Sequence, residues 1–565
     1  MVSLTEPQAA RAASPTSLKQ SETELLLAVA EPVPSASRIR ELLRLDIDWS
    51  YVLLAGHRHA LLPLLHAALK QHPDLVPDSI SRQIREHFHA NERRNSRILR
   101  EAGGIMADLQ DAEVDALSMR VLFLLAQAYG PGEREYEPLD VLVSSGRARR
   151  TVTALANRGY RPVHDLSPGR EALLLHSRPL PLQHDESSLR VHLQDRVTPI
   201  FYPVQLTLSD LVERRARGAE DSLSVPSHED ELLLCCLYGA FHIWGKLAWL
   251  SDVARVVAFT PRLDWQRVLR LASDCGAERS LRLGLYLVQD LLGVKLPENI
   301  SREIEADAVV QKLGSGVRRR LFHDLRGRQT ERERARFRLK TQDSLWDKVR
   351  YCVNFAVTPM PEDWNDIRLP DPLTAALYLL RPPRLVLEQL RPHPERAPYF
   401  STPLPLVKQM LALAEIGPED VVYDLGCGDG RIVIEAARSR GSRGVGIDID
   451  PQRIAEAREN ARAARVEHLV SFVEGDVLKA DLSGATVLTV WMLQTLNIQL
   501  RPKLRSELAA GVRIVSHSFD MGDWIPAKTE IVQIGEGSTV TCMWTIGDAD
   551  GHSAPKLQAP MAAVR

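Results

Sequence analysis

The fold of the C-terminal part is decided by the stretch VVYDLGCGDGRIVIEAARSRGSRGVGIDIDPQRIAEARENARAA, residues 421–464. It predicts a strand that ends in a glycine-rich turn, a helix over 432–439, a second strand RGVGIDID, and a second helix that begins at Pro451, where proline is favoured. Because strands alternate with helices of about a dozen residues, we expect a parallel sheet with crossover helices.

The same alternation continues downstream. Three further strands are predicted from LVSFVEGD (469–476), ATVLTVWM (485–492) and GVRIVSHSF (511–519), with a helical segment to about Leu508 before the last of them. Two β-like runs follow, over 529–534 and 538–546, which predict an antiparallel hairpin at the sheet edge. The fold class is therefore α/β, with a Rossmann-like C-terminal sheet.

The glycine-rich turn DLGCGDG (424–430) carries the first functional signal. Its glycines allow a sharp bend and the close approach of a ligand, and a helix N-terminus follows directly. Asp448 ends the second strand, where a carboxylate can bind a ribose diol. Asp476 ends the third strand, where a carboxylate can accept from an adenine amino group.

These motifs resemble the class I S-adenosylmethionine-dependent methyltransferases over about residues 400–548. The matching segments are DLGCGDG, GIDID (446–450) and EGD (474–476). The resemblance implies S-adenosylmethionine as cofactor, with Asp448 at the ribose and Asp476 at the adenine. It implies a cofactor loop formed by Asp424, Gly426, Gly428 and Gly430. A dinucleotide dehydrogenase is the rival for such a loop, but Asp424 can face the ammonium group of S-adenosylmethionine.

The flanking segments narrow the resemblance. YFSTPLPLVKQML (399–411), DGRIVIEAA (429–437) and SHSFDMGDW (516–524) are similar to lysine-directed protein methyltransferases. In that group the segment before the first strand closes over the cofactor, which implies lid roles for Tyr399, Thr402 and Pro403. A simple turn at Thr402 and Pro403 is the alternative interpretation.

The acceptor side is expected beyond the fourth and fifth strands. VWMLQTLN (490–497) lacks the Asn/Asp-Pro-Pro-aromatic motif of amino-methylating DNA enzymes, which argues against adenine or cytosine as acceptor. The candidate catalytic residues are Trp491, Asn497, His517 and Asp520, with Gln494 and Trp524 nearby. Trp491 is equally consistent with a core position, and a structural role for His517 is favoured over acid/base chemistry.

The N-terminal part is predicted to be mostly helical with a few short strands. EREYEPLDVLVSSGRARRTVTALANRGYRPV (133–163), SLRVHLQD (188–195) and LLLCCLYGAFHIWGKLAWLSDVARVV (232–257) resemble an uncharacterised nucleotidyltransferase-like family of bacterial peptide-modification gene clusters. The resemblance implies an α+β domain over about residues 21–390.

The metal-binding pattern of active nucleotidyltransferases is incomplete. Such enzymes need two carboxylates two residues apart on one strand and a third on a neighbouring strand. Asp140 fits the second position, but Pro138 occupies the first and His192 the third. Glu135 and Glu137 have the wrong spacing to substitute on one strand face. We therefore expect a degenerate domain that binds a substrate, partner or nucleotide, with Asp140 a metal ligand only if transfer is active.

These predictions divide the chain as follows: a disordered tail (1–20), a degenerate nucleotidyltransferase-like domain (21–345), a Pro-rich connector (346–398), the methyltransferase domain (399–548) and a second disordered tail (549–565). The 565 residues carry a formal net charge of −2, which excludes a globally basic nucleic-acid coat protein. The six cysteines form no CxxC pair, which predicts reduced thiols in the cytoplasm. The longest uncharged apolar run, 232–244, is too short to span a bilayer.

The predicted function is methylation of a protein lysine or a peptide natural product, with the N-terminal domain presenting that substrate. One alternative is a small-molecule methyltransferase. The other is an active nucleotidyltransferase or a nucleotide-binding scaffold whose methyltransferase site is vestigial.

Overall fold

The structure, a computed structural model, describes residues 19–136, 138–164, 167–185, 187, 189–217, 224–322, 330–359, 376–390, 400–535 and 537–547. The predicted tails therefore lie outside the described residues, except that Gln20 already begins the first helix. Within the described ranges, every helix is too short or too polar to cross a membrane.

The N-terminal part combines many helices with short strands. Its helices are α1 (Gln20–Ala30), α2 (Ala36–Leu43), α3 (Trp49–Arg58), α4 (Leu62–Leu69), α5 (Asp78–Asp111), α6 (Val121–Gln127), α7 (Ala148–Asn157), α8 (Pro168–Ser177), α9 (Leu208–Glu213), α10 (His228–Phe241), α11 (Leu247–Phe259), α12 (Trp265–Cys275), α13 (Glu278–Leu292), α14 (Glu298–Ala306), α15 (Ala308–Phe322) and α16 (Glu331–Lys340). Its strands are β1 (Ala116–Ser118), β2 (Leu139–Val143), β3 (Tyr160–Pro162), β4 (Leu180–His184), β5 (Arg190–Gln194), β6 (Ala216–Arg217) and β7 (Ser224–Val225).

Five of these strands form one sheet in the order β1-β2-β5-β4-β3, in which β2 and β5 are parallel and the other pairs antiparallel. The surrounding helices pack on the sheet and on each other, and together they enclose one hydrophobic core that reaches from Leu25 to Tyr351. The predicted class of a mostly helical α+β domain is confirmed.

The segment predicted as a Pro-rich connector is helical where the structure describes it. It contains α17 (Leu345–Val357) and α18 (Leu377–Leu390), and α18 includes Pro382 and Pro383. Tyr351 of α17 is buried, and its ring stacks on Phe355 and meets Phe201 edge-on. The N-terminal core therefore extends beyond residue 345, because aromatic packing outweighs the loop signal of the prolines.

The C-terminal part is the predicted doubly wound sheet. Its strands are β8 (Val421–Leu425), β9 (Arg443–Asp448), β10 (Val470–Glu474), β11 (Val487–Val490), β12 (Arg513–His517), β13 (Lys528–Ile534) and β14 (Gly537–Thr545), and its helices are α19 (Leu404–Leu413), α20 (Arg431–Arg440), α21 (Pro451–Ala463) and α22 (Gln494–Glu507). The strand order is β10-β9-β8-β11-β12-β14-β13. The first five strands are parallel, and β13 and β14 form the expected antiparallel hairpin at the edge.

The two parts meet where helices α3 and α5 lie against β13 and β14. The guanidinium of Arg58 binds the carboxylate of Asp520. Ser538 Oγ and His87 Nδ1 are 2.7 Å apart, and the backbone N–H of Ile531 donates to Gln83 Oε1 at 3.0 Å. These contacts join α3 and α5 to the hairpin and to the loop after β12.

Close packing against β9, the strand next to the edge strand β10, requires a glycine at position 446. A Cβ there would lie 2.7 Å from the Phe472 ring and 2.8 Å from Cys427 Sγ, whereas a Cβ at Gly475 would meet nothing within 4 Å. Because the Phe472 ring is buried, it has little room to move away.

We predict that Gly446→Ala lowers the free energy of unfolding by about 1–3 kcal/mol through overpacking. Gly475→Ala, the matched control, should change it by less than about 0.5 kcal/mol. Urea unfolding of the full chain, followed by tryptophan fluorescence, measures both values. Equal effects of the two substitutions would contradict this packing argument.

Candidate functional site

A cleft of about 1110 Å³ lies at the carboxyl ends of β8, β9, β10 and β11. Of the residues predicted to bind the cofactor or to act in catalysis, seven line it: Thr402, Asp424, Gly426, Gly428, Asp448, Asp476 and Trp491. Open α/β sheets bind ligands at this edge, because successive parallel strands deliver their loops to one side.

The glycine turn is held against the neighbouring strand. The backbone N–H groups of Gly426 and Cys427 both donate to Ile447 O, at 2.8 and 3.0 Å. The φ angles of Gly426, Gly428 and Gly430 are +76°, +52° and +78°, which favour glycine. Gly430 does not line the cleft; a Cβ there would lie 2.6 Å from the ring of Phe472. Packing behind the turn therefore explains why a glycine is needed at residue 430.

The Asp448 carboxylate connects the turn to the second crossover. Its Oδ2 accepts from the backbone N–H of Gly428 at 2.9 Å, and its Oδ1 accepts from that of Asp450 at 2.9 Å. Gly428 belongs to the turn after β8, and Asp450 belongs to the loop between β9 and α21. One side chain therefore contacts both loops that border the cleft.

Asp424 is the buried acid of the cleft. Its Oδ1 accepts from the hydroxyl of Thr489 at 2.7 Å. Burial raises the pKa of this carboxyl to about 7, against the opposing effect of the Thr489 hydrogen bond. A cation placed beside Asp424 would favour its ionised form.

The remaining predicted cofactor residues border the cleft on two sides. Asp476 Oδ1 accepts from the backbone N–H of Leu478 at 3.0 Å. Thr402 O accepts from Arg431 Nη1 at 2.9 Å, which fastens the segment before α19 to the start of α20. Tyr399 lies outside the described residues, and its neighbour Phe400 is exposed and lines the cleft.

Trp491 lines the cleft just after β11, and His517 packs against it from behind. Their rings stack with centroids 4.6 Å apart and an angle of 22° between planes. Burial lowers the pKa of His517 to about 4, so the imidazole is neutral at physiological pH. Its two nitrogens lie 3.3 Å from Thr402 Oγ1 and 3.0 Å from Ser518 Oγ. This arrangement orients the Trp491 ring and leaves His517 outside the cleft lining.

Two other candidate catalytic residues are not brought into the cleft. Asp520 accepts from Gln494 Nε2 at 2.5 Å and from the backbone N–H of Gly522 at 2.8 Å, in addition to its contact with Arg58. Asn497 is fully buried in α22. Both side chains therefore support the wall of the cleft from behind.

Sequence reasoning missed several apolar residues of the cleft: Phe400, Met492, Leu493, Leu496 and Phe519. Their positions in the sequence could have indicated them. Most of them follow directly after β11 or β12, and the ends of these two strands lie at the same edge of the sheet. Their side chains give this part of the cleft a largely apolar surface.

On β2 of the N-terminal part, the place where active nucleotidyltransferases carry their metal-binding carboxylates is occupied by an ion pair. Asp140 Oδ2 accepts from Arg120 Nη2 and its Oδ1 from Gln194 Nε2, each at 2.9 Å. In the β2–β5 register Asp140 lies opposite His192, so a third carboxylate is missing from that place. Among the described residues no three His, Cys, Asp or Glu side chains are grouped as metal ligands. These donors do not fit a two-metal centre.

Glu135 is engaged elsewhere. Glu135 Oε1 lies 2.9 Å from His87 Nε2, and this hydrogen bond and the nearby positive charges lower its pKa to about 2 in spite of burial. Glu137 lies outside the described residues.

The doubly wound sheet, the glycine turn and the acidic residue that ends β9 define a Rossmann-like S-adenosylmethionine-dependent methyltransferase domain, as the sequence predicted. A family model described as the ANTKMT methyltransferase domain matches residues 424–528. A protein-lysine N-methyltransferase of Saccharolobus islandicus (strain REY15A) is 40% identical over 152 residues, which are 27% of this chain and 94% of that protein. The chain belongs to this methyltransferase family, and the predicted enzyme class and cofactor are confirmed.

Other known proteins also match a part of the chain. The adenine nucleotide translocase lysine N-methyltransferase of Mus musculus is 30% identical over 169 residues, which are 30% of this chain and 71% of that protein. A solved RNA methyltransferase from Salinibacter ruber, in complex with S-adenosyl-L-homocysteine, is 48% identical, covers 28% of this chain and 100% of that chain, and has a TM-score of 0.26.

The N-terminal part matches a family model described as an uncharacterised nucleotidyltransferase over residues 46–293. The predicted resemblance of this part is therefore confirmed, while its role stays a prediction.

The raised pKa of Asp424 yields a prediction for the cofactor-free protein. The folded carboxyl keeps its proton up to about pH 7, whereas an unfolded aspartate loses its proton at about pH 4. The folded state binds more protons in this window, so its stability falls as the pH rises through it. Asp424→Asn, which keeps an acceptor for Thr489, should raise the free energy of unfolding at pH 8 by about 1–4 kcal/mol, and by less at pH 5.

Urea titrations at the two pH values measure this difference. The control is Asp481→Asn, an exposed aspartate outside the cleft, which should give no gain at pH 8. The pKa argument fails if the gain from Asp424→Asn is as large at pH 5 as at pH 8.

Proposed function

We propose that this chain transfers a methyl group from S-adenosylmethionine to the side-chain amine of a lysine in a protein. The observation that carries the proposal is the 40% identity to a protein-lysine N-methyltransferase over 94% of that relative's length. The relative of Mus musculus also has lysine N-methyltransferase in its name, which supports the same acceptor.

We assign the cofactor roles by position in the cleft. Asp448 would accept from the ribose hydroxyls beside the Gly428 turn, and Asp476 from the adenine amino group. Asp424 would face the ammonium group, and that positive charge would ionise the carboxyl by lowering its pKa from about 7. Thr402 and Phe400 would cover the cofactor, in the lid position predicted for the segment before α19.

When bound, S-adenosylmethionine supplies an activated methyl group on its sulfonium. The contribution of the chain is then alignment and the exclusion of water. The apolar side chains of Trp491, Leu496 and Phe519 form the surface along which a lysine side chain would reach the methyl group. Such a surface disfavours the charged ammonium, so it promotes the neutral amine that attacks. No side chain need act as a base in this scheme, because the ammonium would release its proton to bulk water before the amine attacks.

The N-terminal part is assigned a presenting role. It contacts the loop after β12 through Arg58 and Asp520, and this loop carries Phe519 of the cleft. A protein substrate would dock against both parts. The predicted methyltransferase domain, 399–548, and the cytoplasmic location are retained as part of this proposal, whereas the boundary at residue 345 is moved to include α17 in the N-terminal part.

We predict that Asp448→Ala weakens the binding of S-adenosylmethionine by about 10- to 100-fold. The substitution removes the proposed ribose contact and also the two hydrogen bonds that fix the loops, and hydrogen bonds to a charged group contribute about 1.5–3 kcal/mol each. Isothermal titration calorimetry measures the dissociation constant, with Asp481→Ala as the surface control. An unchanged affinity in Asp448→Ala would remove Asp448 from the site.

The acceptor is tested with S-adenosylmethionine that carries an isotopically labelled methyl group. We expect the full chain to label protein in a cell lysate, and amino-acid analysis of the hydrolysed protein to recover the label in methylated lysine. The Asp448→Ala variant serves as the control and should lose this labelling. Label recovered in RNA or in small metabolites, with none in lysine, would contradict the lysine assignment.

A further inference from the structure

Two segments that border the methyltransferase cleft meet at one buried imidazole. His517 ends β12, is 3% exposed and does not belong to the cleft lining. Its Nε2 lies 3.3 Å from the Thr402 hydroxyl, and its ring stacks on the indole of Trp491. Thr402 lines the cleft from the segment before α19, and Trp491 lines it from the end of β11. His517 therefore contacts both segments from behind.

The second nitrogen of His517 is held by the edge hairpin. Nδ1 lies 3.0 Å from Ser518 Oγ, which lies 2.8 Å from Thr539 Oγ1 of β14. The backbone N–H of Ser518 donates to Val540 O of the same strand at 3.0 Å. Ser518 has a φ of +61°, a value that is uncommon for residues other than glycine. The two bonds to β14 hold Ser518 in this conformation, beside the imidazole.

The imidazole serves the cleft by contact and not by proton transfer. Because burial lowers the pKa of His517 to about 4, the ring is neutral at physiological pH. A neutral imidazole has one donor and one acceptor nitrogen, and each lies beside a hydroxyl here. What His517 offers is a flat ring in a fixed orientation.

We propose that His517 is a positioning residue with two separable roles. Its hydrogen bond to Thr402 holds the segment before α19 over the cofactor, and its stacking fixes the Trp491 ring along the path of the methyl acceptor. This inference rests on the proposed function, in which Thr402 covers the cofactor and Trp491 borders the acceptor. The first role affects the binding of S-adenosylmethionine, and the second affects alignment after binding.

His517→Phe separates the first role from the second. It keeps a flat ring against Trp491 but removes both hydrogen bonds of the imidazole. We expect the affinity for S-adenosylmethionine to weaken by about 2- to 10-fold, the usual effect of one lost neutral hydrogen bond, and the transfer rate at saturating cofactor to change by less than about twofold. Isothermal titration calorimetry of the full chain measures the affinity.

Thr402→Val removes the hydroxyl at the other end of the same contact. It should weaken the affinity by a similar factor, and the double variant Thr402→Val/His517→Phe should be no weaker than either single variant, because both remove one interaction. Thr402→Val leaves the imidazole in place, so it tests this contact even if a substitution of His517 prevents folding. Parental affinity in Thr402→Val would contradict the first role.

His517→Gln makes the opposite change. Its amide can replace Nε2 beside Thr402, but the ring that stacks on Trp491 is lost. We expect the affinity for S-adenosylmethionine to stay within about twofold and the transfer rate at saturating cofactor to fall by about tenfold, because small displacements of a positioning group are costly in rate. The rate is measured as label transferred to lysate protein. His468→Phe and His468→Gln, at an exposed position outside the cleft lining, should match the parent chain in both quantities.

The proposal is overturned if His517→Phe and His517→Gln change the same quantity, or if neither differs from the parent chain. A purely structural role would lower the melting temperature of both variants and leave affinity and rate per folded chain unaltered, which also overturns it. The lysine assignment fails separately, when the parent chain places its label outside lysine. The variant rates are then measured on that acceptor, and the affinities require no acceptor.

Discussion

The Asp448 carboxylate is the contact on which the geometry of the methyltransferase cleft depends. It accepts two backbone N–H groups, one from the glycine turn after β8 and one from the start of α21. It adds a side-chain contact to the two backbone hydrogen bonds by which Gly426 and Cys427 hold the turn to Ile447 O. Because a carboxylate has further lone pairs, the same group can hold the turn and still accept from a ligand. Asp448 thus positions the loops at this edge of the sheet and is also available to bind a ligand there.

The part of the cleft beyond β11 and β12 is held by the N-terminal part instead. Arg58 binds Asp520 just after β12, and Asp520 also accepts from Gln494 at the start of α22. The loop and helix that line this side are therefore held from outside the methyltransferase sheet. This contact is consistent with the presenting role that we propose for the N-terminal part.

The local features of this protein were predictable from sequence, and the long-range ones were not. Strand–turn–helix alternation and the motif DLGCGDG are short-range patterns, so the sheet, its edge hairpin and the position of Asp448 followed from them. Arg58 and Asp520 are 462 residues apart, and no periodicity in the sequence marks that pair. Asp520 was a candidate catalytic residue only because it follows β12. Its ion pair with Arg58 instead gives it a structural role outside the cleft. The α17 helix was hidden by the prolines that follow it, since its burial depends on Phe201 from a distant segment.

The central claim is that S-adenosylmethionine binds in the cleft at the carboxyl ends of the parallel strands. Ultraviolet cross-linking of radiolabelled S-adenosylmethionine to the full chain, followed by mass spectrometric mapping of the labelled peptide, tests the position directly. The account predicts label within residues 400–453 or 475–499, which contain most of the cleft lining, and its loss with excess unlabelled cofactor. Specific label confined to residues before 400 would contradict it.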